Sequence, residues 1–180
     1  MEGVDQEGVN AVQKALDFWM KHTCVSFVRD SNAKPDLIFF AGMGCYSNVG
    51  YIGRVQYISI GRGCETFGIV AHEVGHALGM WHTQSRPDAD RYIRVMKENI
   101  PPTVLHNFLK RSPKDVNDLR LPYDYGSLMH YDALAFSLNG NATLRSTKPG
   151  YEYTFGQREK PSFLDVKVIN EVYCKGTSLI

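Results

Sequence analysis

A chain of 180 residues is long enough for one domain with a sizeable core, in one lobe or two. Its 43% hydrophobic and 22% charged residues are the composition of an ordinary globular protein. A formal net charge of +1 gives no electrostatic case for nucleic acid or an anionic membrane, and no apolar run is long enough for a membrane-spanning helix.

The opening residues carry no signal-peptide pattern. Residues 6–22 are predicted as an amphipathic helix, because Val9, Val12, Leu16 and Trp19 recur at helical spacing. Val25-Ser26-Phe27-Val28 and Asp36 to Phe40 read as strands. A glycine-punctuated stretch then carries two more, around Tyr51-Ile52 and from Val55 to Ile60. A second helix is expected from about Glu65 to Leu78, packed beneath this sheet. Beyond Pro87, prolines at 101, 102, 113 and 122 interrupt any long element. Lys110-Arg111 with Lys114 reads as a solvated basic surface. Ser162-Phe163-Leu164-Asp165 is a capping-box-like start for a last helix carrying Val168, Ile169, Val172 and Tyr173.

The second helix carries the chemistry. His72-Glu73-Val74-Gly75-His76-Ala77-Leu78-Gly79-Met80-Trp81-His82 has the spacing H-E-x-x-H-x-x-G-x-x-H. His72 and His76 would lie on one helix face, roughly 40° apart with ~6 Å of rise, so both imidazoles can reach one metal ion. His82 joins them only if the helix breaks first, and Gly79 can adopt the left-handed conformation that breaks it. Glu73 projects beside the histidines, placed to act on water rather than to bind the metal. Chance would assemble these five residues on the order of once in 10⁵ chains of this length, which sets aside a core helix with scattered histidines. Three histidines leave one position open, as in a catalytic zinc site. His22, His106 and His130 have no ligand spacing.

Cys24, Cys45, Cys64 and Cys174 form an even set with no C-x-x-C pair, leaving both disulfides and free buried thiols open. Asn141-Ala142-Thr143 is a glycosylation tripeptide, of a kind that chance also supplies.

Gly126-Ser127-Leu128-Met129-His130-Tyr131, together with the histidine string, resembles the Met-turn of metzincins, and its S-x-M-H-Y form resembles the astacin family. Arg86-Pro87-Asp88 matches that family's R-x-D, and Cys64, Gly156-Gln157-Arg158 and Cys174 complete the pattern. The resemblance runs from the first helix to Cys174. It implies an α+β metzincin-like fold with an N-terminal lobe of about residues 1–79 and a C-terminal lobe of about 80–180. The first would hold a twisted mixed sheet and two helices. The second would be irregular with a terminal helix, and a cleft would separate the two.

The resemblance further implies a secreted zinc endopeptidase acting on peptides or proteins, held inactive by a propeptide outside this chain, with no membrane insertion. One zinc would be bound by His72, His76 and His82, with Tyr131 as a further ligand and Met129 as an unligated floor. Glu73 would be general base and acid. Substrate would lie along an edge at Cys45 to Asn48, contacting Tyr46 and Asn48. The cysteines would pair Cys24–Cys174 and Cys45–Cys64; the longer bridge is worth up to ~5 kcal/mol in the chain-entropy model. An inactive zinc-bound protein-binding module is the rival, and intact Glu73 and Tyr131 argue against it. Three departures are read against the family: Thr83 replaces a glutamate, Ala89 replaces an arginine, and the family's N-terminal segment with its first strand is expected to be absent before the first helix.

Overall fold

The computed structural model describes residues 1–30 and 36–175. Helix α1, Gln6–His22, starts where the Asp5 carboxylate accepts the Gly8 N–H at 2.8 Å and ends with Lys21 and His22 against the negative end of its dipole. Strands β1 (Leu37–Phe40), β2 (Cys45–Ser47) and β3 (Gln56–Ile60) form a sheet in the order β1-β3-β2. β1 runs parallel to β3 and β2 antiparallel to it. The sheet is therefore mixed, and among the described residues β2 forms one of its edges. At the other edge Glu2 bridges Phe40, donating its N–H to the Phe39 carbonyl at 2.9 Å.

Helix α2, Phe67–Ala77, follows the sheet. β4 (Ile93–Val95) and β5 (Leu144–Ser146) pair antiparallel among several 3₁₀ turns. Helix α3, Phe163–Tyr173, begins with both halves of a capping box between Ser162 and Asp165. With three α-helices and two small sheets among the described residues, the fold is α+β.

The chain divides into two compact units, Met1–Met80 with Arg158–Ile180, and Trp81–Gln157. The core of the first joins Val12, Ala15 and Trp19 of α1 with Val70, Ala71 and Val74 of α2 and Ile58 and Ile60 of β3, all essentially buried. Trp19 Nε1 donates to the Ala71 carbonyl at 3.2 Å, so α1 grips α2 one residue before His72. α3 is tied in by Asn170 to the His22 carbonyl and by the Tyr173 hydroxyl to the Leu78 carbonyl, both at 3.0 Å. Disulfides join Cys24 with Cys174 and Cys45 with Cys64, and no cysteine is free among the described residues. The second unit packs around Ile93, Ile100, Phe108, Tyr123, Tyr125, Leu144 and Phe155.

Two expected strands are absent. Val25–Val28 alternates half-buried and exposed residues, but no described strand lies beside it to complete a ladder, and Val28 is 84% exposed. Tyr51-Ile52 sits between Gly50 and Gly53, whose φ values of 72° and 76° turn the chain on either side and leave no extended run. The strand of that stretch is β2 instead.

Candidate metal centre

Helix α2 is buried nearly all round, so its polar residues are enclosed: His72, Glu73 and His76 are each at most 6% exposed. The two imidazoles, one turn apart, meet edge-on with ring centroids 4.6 Å apart. The helix then stops in a Schellman arrangement. Met80 N–H bonds the Gly75 carbonyl at 3.0 Å, Gly79 N–H bonds the His76 carbonyl at 2.8 Å, and Gly79 has φ of 98°. The His76 carbonyl also accepts the Gly50 N–H at 2.8 Å, which fastens the β2–β3 loop to the end of the helix.

The same turn sets the chemistry of His76. Its Nδ1 lies 2.7 Å from the Met80 carbonyl, which can only accept, so Nδ1 carries the proton and Nε2 the lone pair. Burial, helped by the positive charge of Arg158, lowers the pKa of His76 against an opposing effect of that hydrogen bond. A neutral imidazole is the form that binds metal. Glu73 moves the other way: burial raises its carboxyl to about 7, and Arg158 partly offsets this. Its Oε2 is buried and accepts no hydrogen bond among the described residues.

His82 follows the helix break, at the start of the 3₁₀ turn Thr83–Ser85. One nitrogen from each of His72, His76 and His82 lies within 4.8 Å of the other two, the one such cluster among the described residues. Three imidazole donors suit zinc, and the unpartnered Glu73 oxygen supplies a nearby acceptor that no described residue uses. The residues fit the metal.

In the second unit, the residues after His82 are laced to the segment 127–131. Thr83 N–H bonds the Met129 carbonyl at 3.0 Å, and the Thr83 hydroxyl donates to Ser127 Oγ at 2.9 Å. Ser127 Oγ also accepts the Met129 N–H at 3.0 Å, and Tyr131 N–H bonds Gln84 Oε1 at 3.2 Å. His130, fully buried, donates from Nδ1 to the Tyr131 carbonyl at 2.7 Å and accepts the Tyr123 hydroxyl on Nε2 at 2.8 Å. Tyr123 in turn lies under the Arg86 guanidinium, 5.6 Å from it, and Arg86 is paired with Asp88 at 2.9 Å. The result is a continuous hydrogen-bonded shelf. It holds the Tyr131 ring 4.5 Å from that of His82, and Met129 is 1% exposed. Gln84 Nε2 is buried without a partner among the described residues.

Tyr46 and Asn48 lie on or next to β2 and are exposed, Tyr46 by 50%. Sequence reasoning gave no role to two residues that the geometry brings forward. Arg158 influences both Glu73 and His76, and its backbone lies so close to α2 that a side chain at Gly68 would overlap the Arg158 carbonyl. Gln84 is the other, and its only signal in the sequence was a position two residues beyond His82.

The family model for the astacin peptidases matches residues 1–174, and the chain belongs to the astacin family. It is similar to zinc metalloproteinase nas-36 of Brugia malayi, 49% identical over 177 residues, which are 97% of this chain and 30% of that protein. Zinc metalloproteinase nas-30 of Caenorhabditis elegans is 48% identical over 174 residues, 96% of this chain and 24% of that one. The chain thus spans about a quarter to a third of these curated relatives. Among solved structures it resembles high choriolytic enzyme 1, a hatching-enzyme zinc protease of the medaka Oryzias latipes. The TM-score is 0.87 at 38% identity, covering 95% of this chain and 84% of that one. Myroilysin shares the fold, with a TM-score of 0.67 at 23% identity over 95% of this chain and 88% of its own.

Proposed function

We propose that this chain is the peptidase domain of a secreted zinc endopeptidase that cleaves internal peptide bonds with Glu73 as general base and acid. One observation carries this reading: three metal-competent histidines converge beside a buried carboxylate oxygen that no described residue satisfies. Zinc held by His72, His76 and His82 would polarise the scissile carbonyl and acidify the attacking water. Glu73 takes the proton from that water as it adds to the carbonyl, holds it on a carboxylate already raised towards neutrality, and returns it to the leaving amine.

Tyr131, beside His82, would be a further ligand to the metal and would donate its hydroxyl to the developing oxyanion. An extended substrate pairs with β2, an edge strand among the described residues, with Tyr46 and Asn48 at its flank. The two disulfides support an oxidising, extracellular setting. No described helix is long and apolar enough to cross a membrane.

The test is cleavage of an internally quenched peptide library by the oxidised, folded chain, with fragments mapped by mass spectrometry. Internal cleavage should vanish with a zinc chelator and return when zinc is restored. Stoichiometric zinc binding without cleavage of any peptide would overturn the reading in favour of a binding module.

A further inference from the structure

We infer that Gln84 is a positioning residue that sets Tyr131 in register with the third histidine. The inference rests on the role proposed above for Tyr131 and adds the device that places it. Gln84 is 1% exposed, and its Oε1 accepts the Tyr131 N–H at 3.2 Å. On the other side of the same residue, the His130 imidazole holds the Tyr131 carbonyl at 2.7 Å. The peptide groups flanking Tyr131 are thus clamped from two directions, and its side chain direction follows from them.

The orientation of the Gln84 amide is forced. A backbone N–H can only donate, so Oε1 must face Tyr131, and Nε2 is left buried with no acceptor among the described residues. An apolar side chain of similar length would remove that orphaned donor but would leave the Tyr131 N–H without this acceptor. Gln84 thus leaves its own donor unmet among the described residues while meeting that of Tyr131. What it uniquely supplies is an acceptor for Tyr131, delivered from a backbone fixed two residues beyond His82. Thr83 between them is locked by its N–H to Met129 and its hydroxyl to Ser127, so the reach from His82 to Tyr131 has little freedom. The paired rings of His82 and Tyr131, 4.5 Å apart, are the outcome.

The experiment compares Gln84→Met, which keeps the length and removes the acceptor, with Gln84→Glu, which keeps an acceptor oxygen. In metal-free protein, the Tyr131 amide should exchange with deuterium faster in Gln84→Met than in wild type and recover protection in Gln84→Glu. In zinc-loaded protein, Gln84→Met should lose roughly ten- to a hundredfold in kcat through misplacement, with KM and zinc content unchanged. Combined with Tyr131→Phe, which should itself lose about 10²–10³-fold, Gln84→Met should add no more than roughly twofold. An undiminished loss in the Tyr131→Phe background, or unchanged Tyr131 exchange, would overturn the inference. A wild-type chain that cleaves nothing would sink the proposed function instead, and the exchange arm would still decide whether Gln84 holds Tyr131.

Discussion

Glu73→Gln should bind zinc as wild type does and lose about 10²–10⁴-fold in kcat. The amide has the shape of the carboxylate but cannot accept the proton of the attacking water. No hydrogen bond from a described residue to Oε2 is lost, because that oxygen has no such partner. The substitution also removes a charge whose burial is unfavourable, so the melting temperature should hold or rise. Pre-steady-state and steady-state kinetics on a peptide from the cleavage map, with metal analysis of the same sample, separate the effects. Full zinc with turnover within tenfold of wild type would remove Glu73 from the proton pathway.

Trp19→Ala should destabilise the protein by ~3–5 kcal/mol, the usual range for a large aromatic removed from a core. Trp19 is fully buried and its indole donates to the Ala71 carbonyl, so the substitution opens a void against α2 and loses that bond. For a chain of this size the melting temperature should fall by about 6–20 °C. Trp19→Phe should recover part of the loss by refilling the space without the donor. Calorimetry or urea unfolding of the oxidised protein checks this. A loss below ~1 kcal/mol would mean that α1 does not clamp the metal helix.

The elements legible in the sequence were those whose signal is local. α1 announced itself through apolar spacing, α3 through apolar spacing and a capping-box start, and α2 through the histidine string. The break at Gly79 could be read because His82 cannot reach the other two histidines without it. β2, β4 and β5 could not be read so directly. Each is three residues long, and Ile93–Val95 meets its partner Leu144–Ser146 only through tertiary folding. Val25–Val28 failed for the converse reason: its alternation is real, but a strand exists only where a neighbour pairs with it. Gly50 and Gly53 displaced the strand expected at Tyr51-Ile52 by turning the chain.

The candidate site divides in the same way. His72, Glu73 and His76 sit on one helix, so their geometry follows from helix parameters, and His82 joins them only through the break at Gly79. The resemblance to astacins supplied Tyr131, Met129 and the edge at Cys45 to Asn48, which no periodicity announces. Gln84 and Arg158 stayed hidden because their roles depend on partners far away in sequence: the Tyr131 amide for one, the electrostatics of Glu73 and His76 for the other. Thr83 was legible as an unusual neighbour of His82, but not its bond to Ser127.

We propose that His72, His76 and His82 together hold one zinc ion. The direct measurement is zinc stoichiometry and affinity by competition with a chromophoric chelator, for wild type and for single alanine substitutions at all six histidines. Wild type should bind one zinc per chain. Alanine at His72, His76 or His82 should weaken binding by more than the roughly 10–100-fold that loss of a ligand's outlying partner costs. Alanine at exposed His22 or His106 should leave it unchanged, and at buried His130 should perturb stability before affinity. Wild-type zinc affinity in a folded His76→Ala or His82→Ala protein would contradict the three-histidine site, and with it the proposed zinc-dependent hydrolysis.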